Sequence, residues 1–187
     1  MKNTWRFSGN EMKYLREVVD SGFGSGTSGS MNNRFETAFA EKVGAEYAVT
    51  FNSGTSTLHA ALFSMDVFAG DEVIIPPLTV VSNVDVILAQ NAIPVFADIN
   101  PRTLCMSDQQ VLDKLTDQTR AVFVTHVQGF NGLTKRLLET LEEKDIPLIE
   151  DVCESHGATF KGKKLGSYGL ISNFSFYYAH HMSTIEG

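Results

Sequence analysis

Residues 71–100 read DEVIIPPLTVVSNVDVILAQNAIPVFADIN. Two short apolar runs, DEVIIP and IPVFAD, bracket an amphipathic stretch, TVVSNVDVILAQ. Apolar runs of that length are strand-like and the longer stretch between them is helix-like, so the segment reads as a β-α-β unit. The unit recurs outward along the chain. Upstream, YAVTF leads into TSTLHAALFSM; downstream, IPVFAD leads into SDQQVLDKL, AVFVTH into TKRLLETLEEK, and IPLIED opens the last portion. Repeated β-α units predict an α/β fold with a largely parallel sheet. The end of the chain, ATFKGKKLGSYGLISNFSFYYA, changes to short β-like runs with glycine turns, which predicts hairpins or an antiparallel member there.

Before these units the pattern is helical. GNEMKYLREVVDSG places Met12, Leu15, Val18 and Val19 at helical spacing, with Gly22 as the stop. GFGSGTSGS is a flexible connection and a candidate loop for substrate or a partner. A second helix fits NNRFETAFAEKVG, with Phe35, Phe39 and Val43 on one face and Gly44 closing it.

The chain has 187 residues, enough to bury a substantial core, and a formal net charge of −7. That charge argues against nucleic acid, because phosphate backbones call for clustered basic surface. The one basic cluster, KGKK, reads as a solvated hairpin tip. No apolar window is long enough to span a bilayer, and the N-terminus lacks the apolar run of a signal peptide, so a cytoplasmic location is expected. Cys105 and Cys153 match no paired metal spacing and read as reduced, partly buried thiols.

Ligands of open α/β sheets sit at the carboxyl ends of the strands. FNSGTSTLHAAL puts Ser-Gly-Thr-Ser there, between strand and helix. Gly54 allows close backbone approach, and the free amides of the next turn make an anion site suited to one phosphate monoester. The same residues also fit an ordinary helix start capped by Ser53 or Thr55. IPLIEDVCESHGA ends a strand with Glu150 and Asp151 and adds Glu154. Such carboxylates either face the ligand crevice, to meet a cation or a ring N–H, or cap a helix and pair with loop cations. His180 and His181 would point to opposite sides of an extended segment, and neither His126 nor His156 has a His-x-x-x-His partner. No metal site is therefore expected, since zinc takes about three protein ligands. His59 reads as a packed or surface residue.

Together, NSGTSTLHAAL, the 71–100 segment, AVFVTHVQG, IEDVCESHGATFKGKKLGSYG and SFYYAHHMSTIEG resemble, in order and spacing, the DegT/DnrJ sugar aminotransferases. The resemblance runs from about Phe35 onward. It implies a three-layer α-β-α large domain of the fold type I pyridoxal-phosphate enzymes at 35–187. Residues 1–34 would then be a helix and a Gly/Ser-rich substrate or dimer loop. It also implies that Gly54, Thr55, Ser56 and Ser175 hold the cofactor phosphate. Asp151 would hold the pyridinium proton, with Glu154 near the phenolic oxygen.

Two positions depart from the family pattern by adding charge or removing an aromatic: Glu154 stands for the usual Gln, and Val80 for a stacking ring. A third decides the chemistry. His180 occupies the place of the imine-forming lysine, and an imidazole cannot form that bond although it can move a proton. This resembles the branch that dehydrates nucleotide-linked 4-keto-6-deoxyhexoses at carbon 3. The resemblance implies pyridoxal or pyridoxamine 5′-phosphate held noncovalently, a nucleotide-linked keto-sugar substrate, an amino donor such as glutamate, and a homodimer. An iron–sulfur cluster is not expected, for lack of clustered cysteines. The alternatives are amino transfer to a nucleotide keto-sugar, or a cofactor-binding member without activity. The Glu-Gly ending continues in the family into more sheet and a small domain, so the chain is expected to be the N-terminal part of a longer protein.

Overall fold

The computed structural model describes residues 9–22 and 30–184. The chain divides into two compact units, Met1–Thr50 and Phe51–Gly187. The first contains helices α1 (Glu11–Asp20) and α2 (Ser30–Val43). Each gives way to a glycine in the left-handed region, Gly22 (φ 71°) and Gly44 (φ 89°), the conformation that ends helices. Arg34 of α2 pairs with Glu17 of α1 at 3.0 Å. Of the Gly/Ser-rich connection, residues 23–29 lie outside the described residues.

The expected strand YAVTF does not form. Tyr47, Val49 and Phe51 stand exposed outside any ladder of the described residues. The Thr50 amide goes instead to Glu36 Oε1 at 2.7 Å. An apolar alternating run becomes a strand only where a neighbouring edge takes its backbone groups.

The second unit runs α3 (Gly54–Ser64), β1 (Glu72–Ile75), α4 (Val81–Ala89), β2 (Ile93–Phe96), α5 (Asp108–Leu112), β3 (Thr119–Thr125), α6 (Lys135–Glu143) and β4 (Leu148–Asp151). Three short strands follow: β5 (Thr159–Phe160), β6 (Lys163–Lys164) and β7 (Ile171–Asn173). The main sheet has the order β2-β1-β3-β4-β7, and every pairing in it is parallel. The hairpin expected near the end is β5-β6, which stands as its own two-stranded sheet. The main sheet gains a parallel member there rather than an antiparallel one.

Alternation along the strands divides the core into two layers. Val73, Ile75, Ala121, Phe123 and Ile149 pack with Leu58 and Leu62 of α3 and with Val86 and Ile87 of α4. Ile74, Val122, Val124 and Leu148 face the other way, onto Val111 of α5 and Leu137 and Leu141 of α6. The result is the expected three-layer α-β-α arrangement. The chain leaves β1 toward β2 on one side and returns to β3 on the other, and that reversal opens a crevice at the strand ends.

Candidate active site

Register builds the floor of the crevice. Thr125 pairs with Asp151 and Asp151 with Asn173, so three polar residues stand in one row at the carboxyl ends of β3, β4 and β7. Two residues earlier the same face carries Phe123, Ile149 and Ile171, which join the α3/α4 core. Side chains of period two therefore end as a polar rim on an apolar column.

Asp151 is buried, and both its oxygens accept from neutral donors. Asn83 Nδ2 reaches Oδ2 at 2.9 Å, and the Cys153 amide reaches Oδ1 at 3.1 Å. Its neighbour Glu150 points to the opposite face and is fully enclosed. His126 Nδ1 accepts from the Gly132 amide at 3.0 Å, which leaves the ring proton on Nε2 to be donated to Glu150 Oε2, also at 3.0 Å. The amides of Gly166, Tyr168 and Gly169 donate to the same carboxylate at 2.8, 2.7 and 2.6 Å. Burial pushes the Glu150 carboxyl up, yet His126 and these amides outweigh it and hold it below the ordinary carboxylate range. Gly132 is required for this arrangement, because a Cβ there would lie 2.6 Å from Val124 Cγ1.

Helix α3 opens the wall on another side. Ser53 is its N-cap, accepting from the Ser56 amide at 3.1 Å. The Ser56 hydroxyl lies 2.9 Å from that of Ser53. Of the first-turn amides, Gly54 and Thr55 have no acceptor within the helix, as helix geometry dictates, and they carry the positive end of its dipole. A Cβ on Gly54 would meet nothing closer than 3.8 Å, at Asn173 Nδ2 and Ser175 Cβ. No protein atom forbids a side chain there; one would fill the space between the α3 amides and Ser175.

The turn after β7 supplies the remaining wall. The His180 amide donates to the Tyr177 carbonyl at 2.9 Å, so this segment is a turn and not the extended backbone assumed for the histidine pair. His180 faces the cavity while His181 stacks on His156 at 5.8 Å. His180 Nδ1 lies 2.5 Å from the Cys153 carbonyl oxygen. A carbonyl only accepts, so Nδ1 is the donor in this contact, and Nε2 is the nitrogen it leaves for proton exchange. Burial, then the nearby Asp151 charge, pushes the Cys153 thiol far above its usual range, so it stays protonated.

These walls enclose a cavity of about 600 Å³, within the range of small-molecule sites of about 300–1,000 Å³. Gly54, Thr55, Asp151, Glu154, Ser175 and His180 line it. Of the seven expected site residues only Ser56 stands back, engaged in the cap. Residues not singled out from sequence also reach the lining, among them Thr79, Thr125, Asn173 and Tyr177. Thr125 and Asn173 end strands, the same positional signal that marked Asp151. Among the described residues no lysine is in the lining, and Lys161 and Lys163 lie over the rings of Phe160 and Tyr168.

The lining fits a phosphorylated cationic ring such as pyridoxal or pyridoxamine phosphate. The Gly54 and Thr55 amides, Ser175 and the space a Cβ would fill suit a phosphate. Asp151 is a buried anion with neutral partners alone among the described residues, and it suits a pyridinium N–H.

Known proteins share this architecture. The chain is 38% identical over 179 residues to GDP-perosamine synthase of Vibrio cholerae, covering 96% of this chain and 48% of that protein. It is 40% identical over 162 residues to L-glutamine:2-deoxy-scyllo-inosose aminotransferase of Streptomyces fradiae, covering 84% and 37%. The solved E. coli GDP-4-keto-6-deoxy-D-mannose-3-dehydratase with bound hydrated PLP superposes with a TM-score of 0.89 at 31% identity, over 98% of this chain and 48% of that one. The chain thus spans about half the length, or less, of the relatives it matches. Strand order, cavity and these likenesses agree with a family match across residues 6–187: the chain belongs to the DegT/DnrJ/EryC1/StrS aminotransferase family.

Proposed function

We propose that this chain is the cofactor-binding part of an enzyme acting on a nucleotide-linked keto-sugar. In this reading pyridoxal or pyridoxamine 5′-phosphate is held noncovalently and the reaction is dehydratase-like, with His180 as the proton carrier. One observation supports it above others: the cavity presents an imidazole anchored through Nδ1 and, among the described residues, no lysine. The likeness to the E. coli 3-dehydratase points the same way.

Bound in its pyridoxamine form, the cofactor would supply a primary amine for the keto carbon and an electron-withdrawing ring. The protein's part is binding and proton handling. The Gly54 and Thr55 amides and the Ser175 hydroxyl hold the phosphate, and Asp151 keeps the ring nitrogen protonated. The Cys153 carbonyl fixes the His180 tautomer, so Nε2 takes up a proton inside the cavity. Glu154 stands at the rim, where its carboxylate accepts from the Gln128 amide at 3.3 Å. Residues 35–187 form the cofactor domain in this scheme, while residues 1–34 contribute substrate or dimer contacts.

Borohydride reduction of the whole protein loaded with pyridoxal phosphate, followed by peptide mass mapping, tests the reading. No pyridoxyl-lysine is expected from the natural sequence, and one is expected after His180→Lys. An adduct on any native lysine overturns it. A second reading, amino transfer, is favoured by the names of the Vibrio cholerae and Streptomyces fradiae relatives. An amino sugar formed from a GDP-linked 4-keto sugar with glutamate would establish that reading, and a 3-deoxy product would establish dehydration.

A further inference from the structure

Asn83 lies in the first turn of α4, within the run VSNVDVILA, and is fully buried. It does not line the cavity. Its amide nitrogen meets Asp151 Oδ2 at 2.9 Å, Thr79 Oγ1 at 2.6 Å and, more distantly, Thr125 Oγ1 at 3.3 Å. The two threonine hydroxyls are themselves 2.8 Å apart. Its amide oxygen, by contrast, is buried without a hydrogen-bond partner.

That imbalance has a direction. An ionised carboxylate only accepts, so the NH2 must face Asp151, and this choice strands the carbonyl oxygen in the interior. A buried half-satisfied amide is unfavourable, and an apolar residue of similar shape would pack at this point without the orphan. Val86 and Ile87 of the same helix show that the neighbourhood accepts apolar side chains. What an apolar residue could not supply is a side-chain donor to the buried Asp151 carboxylate.

We propose that Asn83 is a positioning residue: it holds the Asp151 carboxylate aimed at the cofactor's ring nitrogen, through a hydrogen bond anchored on the Thr79–Thr125 hydroxyl pair. This rests on the reading above that Asp151 meets a pyridinium. Thr79 and Thr125 both line the cavity, so the pair couples its wall to the buried amide.

A double-mutant cycle tests it, with the dissociation constant of pyridoxamine phosphate measured on the whole protein for the natural sequence, Asn83→Leu, Asp151→Asn and both together. Loss of a hydrogen bond to a charged group predicts about tenfold weaker binding for Asn83→Leu. In the Asp151→Asn background the same change is expected to alter affinity less than about twofold, because there is no carboxylate left to position. With cofactor labelled at the ring nitrogen, Asn83→Leu also moves the 15N signal toward the unprotonated form. Asn83→Ser, too short to span the gap, serves if the leucine variant does not fold. Equal penalties in both backgrounds, with an unchanged nitrogen signal, overturn the inference and leave Asn83 a packing residue. If the natural protein does not bind pyridoxamine phosphate, the functional reading fails instead.

Discussion

Glu150 and Asp151 are adjacent carboxylates on one buried strand, and the molecule treats them oppositely. Glu150, directed away from the crevice, receives a histidine N–H and three backbone amides. It is a hub that fastens the loop at 166–169 and the segment after β3 to β4. Asp151, directed into the crevice, accepts from neutral donors, among them the Asn83 amide group and the Cys153 backbone N–H. The first anion is fully compensated inside the protein. The second is held ready for a charge that the described residues do not provide. An alternation of period two separates a structural acid from a site acid at consecutive positions.

Opposite responses to neutralisation would sharpen that contrast. Glu150→Gln turns an NH2 toward amide donors and breaks the His126 pair, so the whole protein stripped of cofactor should lose about 3 kcal/mol or more in urea denaturation. Asp151→Asn under the same conditions removes a buried charge with no cationic partner, and stability should hold or rise by up to about 1 kcal/mol. A large loss at both positions would erase the distinction.

Acid should expose a smaller effect. The folded Glu150 carboxyl sits below its unfolded value, so its contribution is complete above about pH 4.3 and drains as the pH falls through the folded value. His156 acts earlier. Burial, then the nearby His181 and His180, push its imidazole down to about 4. The unfolded chain therefore takes up that proton first, and stability falls as the pH drops from about 6.5 to about 4. His156→Phe, suited to the edge-on rings of Phe174 and Phe176, should flatten this upper limb and leave the Glu150 limb in place. Thermal melts across pH 7 to 3.5 would separate the two, and an unchanged upper limb would refute the His156 assignment.

Much of this was legible in the residues. Apolar runs separated by amphipathic ones marked β1 to β4 and the helices packed on them, because burial on a two-sided sheet leaves that signature, whereas the parallel β7 lay in a stretch read as hairpin or antiparallel. YAVTF carried the same signature and failed, since a ladder needs a partner edge and not only a pattern. The cavity residues that follow strands were findable by position, as Asp151 was. Asn83 was not: one polar residue in an apolar helix looks alike in sequence whether it faces solvent or a carboxylate.

The order of residue types along the chain determined the β-α alternation, the carboxylate at the end of β4, the Ser-Gly-Thr helix start and the histidine at 180. Those are local properties, set by spacing and by the chemistry of each side chain. Tertiary structure alone decided which of two neighbouring acids is satisfied, which nitrogen of His180 meets the Cys153 carbonyl, and that Asn83 turns its amide toward Asp151. These depend on groups brought together from up to 68 positions apart, and a hydrogen bond exists only where folding brings donor and acceptor within about 3 Å.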